Sequence, residues 1–215
     1  MMQVSVIGAN GKIGKQLVAK LHQDPQHDVV ALVRKQEQLD KLGEQGINAC
    51  LLDLTASVAD IAAALSGSDA VVFAAGSGAS TEDDMTLRID LDGAVKSIEA
   101  AQQAGIKRFV MVSAMQAHNR ENWHPDLVPY FVAKHYADRE LIRSGLAYTI
   151  VRPGALVDEE ATGKVSIAGD LEPGSITRAD VASVVHQLID KPNTAGKAFD
   201  LINGDSPIEE AINKL

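Results

Sequence analysis

Tyr130 and Lys134 stand four residues apart in Tyr130-Phe131-Val132-Ala133-Lys134, so on a helix they share one face, one turn from each other. An ammonium close to a phenol favours the phenolate and draws its pKa down from about 10. That pairing makes Tyr130 a competent proton donor or acceptor. A third polar group, Ser113, ends the apolar run Phe109-Val110-Met111-Val112. Y-x-x-x-K is common in unrelated chains, so its meaning depends on the elements that hold it.

The element that decides this is at the other end of the chain. Val4-Ser5-Val6-Ile7 is β-prone and apolar, and after Gly11 the residues Ile13, Leu17, Val18 and Leu21 recur at helical spacing. Between them lies Gly8-Ala9-Asn10-Gly11-Lys12-Ile13-Gly14, a strand–turn–helix junction whose unpaired N–H groups and helix dipole favour an anion. Gly8 permits the turn, Gly11 admits a pyrophosphate close to the backbone, and Gly14 lets the helix lie on the strand. A ligand-free glycine turn is the plain alternative. The position of the motif on strand–turn–helix favours dinucleotide binding, with Asn10, Lys12 and Ile13 beside the phosphates.

The next strand, Asp28 to Val33, ends in Arg34-Lys35. An acidic residue there would accept from a free ribose 2′-hydroxyl, whereas a basic one pairs with a 2′-phosphate. Arg34 and Lys35 therefore favour NADP over NAD, unless they are ordinary solvated loop charges. The third strand, Asn48 to Leu52, delivers Asp53 and Leu54 to the strand ends, where a carboxylate can accept from an adenine amine and an N–H can donate to a ring nitrogen. Asp53 or Thr55 could equally cap the helix starting near Val58. Both roles can coexist. Ala74-Ala75-Gly76, closing the fourth strand, are small enough for a ligand to pass the backbone. Pro153-Gly154, after the sixth strand (residues 147–151), place backbone where the nicotinamide end of a cofactor would lie.

A helix is expected over 82–104, with Leu87, Leu91, Ala94, Ile98 and Ala101 on its inner face. A helix capped by Thr177 and strands at 164–168 and 198–202 complete the alternation, which requires a doubly wound, mainly parallel α/β sheet. The segment 115–128, holding His118, Trp123, His124 and Pro125, reads as a substrate wall or as a plain surface loop. His118 and His124 lack metal-ligand spacing, and no metal is expected.

Composition sets the outer bounds. At 215 residues the chain suits a single domain, 1–215, with a small substrate-side region built from the 114–129 and 155–176 loops. A formal net charge of −9 argues against general nucleic-acid binding. No apolar run approaches membrane-spanning length and no leader pattern opens the chain, so a cytoplasmic protein is expected. The single Cys50 cannot form an internal disulfide and is expected in the core. The patterns leave monomer and homodimer open.

In combination these residues resemble the atypical short-chain dehydrogenase/reductase group, NAD(P)-binding proteins similar to NmrA and to the flavin/biliverdin-reductase type. The likeness is carried by the glycine motif, Val33-Arg34, Asp53-Leu54, the run from Gly105 to Ser113, Tyr130 to Lys134, Tyr148 to Gly154 and Arg178-Ala179-Asp180-Val181-Ala182. It implies a three-layer Rossmann fold with sheet order 3-2-1-4-5-6 plus one further strand. It also implies NADP in the crevice and a catalytic set of Ser113, Tyr130 and Lys134. Ser113 would polarise a substrate carbonyl, Tyr130 would supply the proton, and Lys134 would hold the nicotinamide ribose. The implied activity is NADP-dependent hydride transfer to or from a small carbonyl or alcohol substrate. A non-catalytic NADP(H) redox sensor of the NmrA-like kind is the alternative. The gap from Ser113 to Tyr130 is longer than is usual in the group. The chain also lacks the larger C-terminal domain of relatives acting on nucleotide sugars, which disfavours an epimerase of that kind.

Overall fold

The computed structural model describes residues 1–78 and 83–215. Strand β1 (Met2–Ile7) leads through the glycine turn into α1 (Lys12–Gln23), followed by β2 (His27–Val33), α2 (Gln36–Glu44), β3 (Asn48–Leu51), α3 (Val58–Leu65) and β4 (Ala70–Phe73). After α4 (Asp83–Met85), a π-helical stretch (Thr86–Gly93) and α5 (Ala94–Gln103) come β5 (Arg108–Val112), α6 (Val128–Arg143) and β6 (Ala147–Pro153). The remainder holds β7 (Ala155–Val157), β8 (Lys164–Ala168), β9 (Ser175–Thr177), α7 (Arg178–Ile189), β10 (Lys197–Asn203), β11 (Ser206–Pro207) and α8 (Ile208–Asn213).

The main sheet runs β11-β8-β10-β6-β5-β4-β1-β2-β3, so the expected order 3-2-1-4-5-6 is present. β10 is the further strand and pairs parallel with β6, while β8 and the short β11 extend the edge antiparallel. β7 and β9 form a separate parallel pair. One apolar layer, with Leu17, Leu21, Val181, Val185 and Leu188, covers one face of the sheet; Ile61, Leu65, Ile98, Ala101 and Leu141 cover the other. The central strands carry apolar residues toward both layers, as a sheet buried on both faces requires. Among the described residues no helix is long and apolar enough to cross a membrane.

Three local expectations differ from the structure. The helix expected from Glu82 is seen from Asp83 onward, Glu82 lying outside the described residues, and it contains a π-helical stretch. The wider π turn shifts the inward face: Leu87 is 47% exposed, while Thr86, Ile89, Asp90 and Gly93 are buried. Helix α3 is capped by neither Asp53 nor Thr55 but by Ser57, whose hydroxyl accepts from the Asp60 N–H. Cys50 is half-buried at the edge strand rather than enclosed in the core. The cap at Thr177 is as expected, its hydroxyl accepting from the Asp180 N–H at 2.9 Å.

Candidate active site

The cleft lies over the carboxyl ends of β1 and β4, where the strand order reverses, which is where doubly wound sheets bind ligands. It has two lobes of about 640 and about 590 Å³, joined along Gly11 and residues 74–77.

Its floor is the glycine turn. Gly8 has φ +84°, and a Cβ there would sit 2.6 Å from the Ala75 nitrogen. A Cβ on Gly14 would lie 2.2 Å from the Gly8 carbonyl oxygen, so α1 rests directly on the turn. Gly11 caps α1 without a side-chain hydrogen bond, and the first turn carries no acid. The positive end of that helix is therefore not neutralised within its own sequence, which fits an anionic ligand. Lys12 reaches across to Asp158, whose other oxygen accepts from Arg178 Nη1 at 2.7 Å. The hydrogen bond from Lys12, the leading cause, holds the Asp158 carboxyl below its ordinary pKa.

One lobe is lined by Gly8, Asn10, Gly11, Arg34, Asp53, Leu54, Ala74, Ala75 and Gly76, all expected from the sequence, together with Gln38 and Arg88. Gln38 Oε1 accepts from the Arg34 and Lys35 N–H groups, each at 3.2 Å, and so fixes the turn that presents Arg34. Lys35 is set apart, its ammonium 3.6 Å from Glu37. Asp53 accepts from the Thr55 N–H and hydroxyl, both at 2.8 Å. These bonds, led by the backbone one, lower its pKa, with the Arg34 charge adding to the effect. Arg88 was missed because the 3.6-residue reading treats this stretch as a plain amphipathic helix.

The other lobe brings Ser113, Tyr130 and Lys134 together with Gly11, Lys12, Ile13 and residues 74–78. Asp126 and Leu127 of the 115–128 segment line it, with Pro129 beside them, whereas Trp123 stacks on Phe131 and donates to the Ala117 carbonyl. Lys134 Nζ is 5.6 Å from the Tyr130 ring centre. Its hydrogen bond goes to Asp90 Oδ1 at 3.0 Å, a partner delivered by the π turn. Burial pulls the Lys134 pKa down, but the charges of Tyr130, Asp90 and Asp138 outweigh it and hold the group above its ordinary value.

Beneath the lobe, Asp138 accepts from Arg152 Nε at 2.8 Å, both side chains being buried. Burial raises the Asp138 pKa despite the opposing pull of Arg152, the Ser113 hydroxyl and Lys134. Ser113 Oγ and Asp138 Oδ1 are nevertheless left without a hydrogen bond of good geometry. A buried hydroxyl in that condition fits a site that awaits a polar ligand group. Asp90 and Asp138 carry no motif of their own, Arg152 lies in the run from Tyr148 to Gly154 with no role read for it, and their meeting under the lobe reveals them.

Pro153 and Gly154 are not among the lining residues of either lobe. The Pro153 carbonyl accepts from the Met115 N–H and the Gly154 N–H donates to Leu201, while a Cβ on Gly154 would strike the Gly174 carbonyl.

The model of a family described as NAD(P)H-binding matches residues 8–192. A Bacillus subtilis protein called an uncharacterized sugar epimerase, YhfK, is 57% identical over the full length of both chains. A solved structure from Bacillus halodurans, a putative NAD-dependent epimerase/dehydratase, superposes with TM-score 0.94 at 44% identity, each chain fully covered. ChuY of Escherichia coli O157:H7, described as an anaerobilin reductase, superposes with TM-score 0.80 at 28% identity, covering 95% of this chain and 98% of its own. These likenesses bear out the resemblance to NAD(P)-binding, reductase-like proteins read from the motifs.

Proposed function

The chain belongs to the NAD(P)H-binding family, and from that premise we propose that it is an NADP-dependent oxidoreductase acting on a small carbonyl or alcohol. The observation that carries this reading is the convergence of Ser113, Tyr130 and Lys134 on one lobe, with Ser113 Oγ buried and without a hydrogen bond of good geometry beside the glycine turn. Gly11, Lys12 and Ile13 would hold the pyrophosphate, and Asp53 and Leu54 the adenine. Arg34, supported by Arg88, would hold the 2′-phosphate. NADPH, when bound, supplies the hydride.

The Ser113 hydroxyl would donate to the substrate oxygen and so polarise the carbonyl. Tyr130 would pass its phenolic proton to that oxygen as the carbon is reduced, and the reverse transfer would serve oxidation. Lys134, fixed by Asp90, would keep a positive charge near the phenolate left behind and offer its remaining N–H bonds to the cofactor ribose.

The test is Tyr130→Phe. With small ketones and aldehydes as probes, kcat for NADPH oxidation should fall by about 10²- to 10⁴-fold, while NADPH affinity, measured by fluorescence titration, stays within twofold or so. Unchanged turnover, or no turnover in the wild type, would favour a redox sensor. The names of the two Bacillus relatives favour a second reading, an epimerase that removes and returns a hydride at one carbon. That chemistry would interconvert substrate epimers with no net NADPH consumption.

A further inference from the structure

At the end of the sheet remote from the cleft, α1, β2 and α7 bring together a set of metal-ligand side chains that the proposed reaction does not use. Asp24 caps the C-terminus of α1, His27 opens β2 and His186 lies in α7. Asp24 Oδ2 is 3.1 Å from His27 Nδ1 and 3.1 Å from His186 Nε2. Four ligands held tetrahedrally at about 2.0 Å from Zn²⁺ are about 3.3 Å from one another. Two edges of such a tetrahedron are thus already at length, and one ligand atom from each of the three residues lies within 4.8 Å of the others.

His27 supplies the second argument. Its side chain is fully buried, and its Nε2 stands 2.9 Å from Asp190 Oδ2 while Nδ1 faces Asp24. Neither ring nitrogen closes a hydrogen bond of good geometry. A neutral imidazole has one N–H and one lone pair, so it cannot satisfy carboxylates on both sides. A cation at Nδ1 resolves the conflict: the lone pair binds the ion, and Nε2–H donates to Asp190. A carboxylate on the distal nitrogen is the usual support of a metal-bound histidine. Asp24 and His186 are partly open, leaving room for water as the fourth ligand.

We propose that Asp24, His27 and His186 form a Zn²⁺-type divalent transition-metal site, with Asp190 orienting His27, and that the ion cross-links α1 and β2 to α7. No motif announces it, because residues 24 and 27 are separated from 186 by most of the chain.

The experiment uses the full-length, tag-free, chelator-treated protein titrated calorimetrically with ZnCl₂, followed by Co²⁺ absorption and thermal unfolding. One Zn²⁺ per chain, a Co²⁺ spectrum of four-coordinate intensity and a raised Tm are expected. His186→Ala and Asp24→Asn should each abolish the Tm rise, and Asp190→Asn should weaken binding by about 10- to 100-fold. Circular dichroism checks that each variant folds, and either of the first two suffices. A wild-type Kd weaker than about 1 mM, or equal binding by both variants, overturns the proposal. The cluster is then a polar contact of histidines and carboxylates that holds α1 and β2 against α7 without an ion.

Discussion

Asp90→Asn isolates the contribution of the π turn. The substitution keeps the shape of the side chain and removes its charge from a pair in which Lys134 and Asp90 are 6% and 2% exposed. Removing one partner of a buried ion pair costs about 3–5 kcal/mol, because the remaining charge is left uncompensated. Asp90 also accepts from the Ser77 N–H at 2.9 Å, and an asparagine carbonyl can keep one of the two bonds. The expected loss is therefore about 3 kcal/mol, at the lower end. For a chain of this size 1 kcal/mol moves Tm by about 2–4 °C, which gives a fall of about 6–12 °C.

The pH dependence provides an independent sign. In the wild type the folded-state pKa of Lys134 is raised, so its contribution is fully present below the unfolded value and lost as pH rises through the folded one. Without the Asp90 charge, burial leads and the folded value should drop below the unfolded one. The unfolded chain then binds more protons than the native one in that interval, and stability rises with pH. The deficit of the variant should thus narrow as pH rises toward the unfolded value of lysine, about 10.4. Thermal unfolding, and urea unfolding across pH, both followed by the fluorescence of the single tryptophan, Trp123, read the two effects. A Tm within about 2 °C of wild type, or a deficit that widens with pH, would refute the argument.

Two further perturbations test the remaining charges. Arg34→Ala and Arg88→Ala should each weaken NADPH binding by about ten- to hundredfold, the worth of a charge-assisted hydrogen bond, and leave NADH binding unchanged; equal loss for both cofactors would remove the 2′-phosphate assignment. Arg152→Met leaves Asp138 as an uncompensated buried carboxylate and should cost about 3–5 kcal/mol at neutral pH. Burial already raises the Asp138 pKa, so stability from this group is present at low pH and lost as pH rises through the folded value. Urea midpoints should show the variant's deficit shrinking from about pH 7 to about pH 5, and an equal deficit at both would exclude Asp138 as its source.

The sequence by itself determined the α/β alternation, the strand–turn–helix at Gly8 to Gly14 and the placing of Tyr130 and Lys134 on one helix face, while the sheet order and the grouping with Ser113 came from the family resemblance. The readings made from the residues rest on local chemistry: glycines at a strand–helix junction, apolar runs of strand length, two residues one helical turn apart. The placing of Arg34 and Asp53 at the cleft was legible for the same reason, since both come within two residues of a strand end. Tertiary structure alone decided what holds those groups in place. Asp90 lies buried in the π-helical stretch and pairs with Lys134, whereas Leu87, expected on the inner face, is 47% exposed. Arg152 meets Asp138, and His186 meets Asp24 and His27, across sheet and helix layers, so no spacing along the chain encodes them. Burial then gives these pairs their energetic weight: a charge that costs little on an exposed helix must find its partner once packing has removed the water.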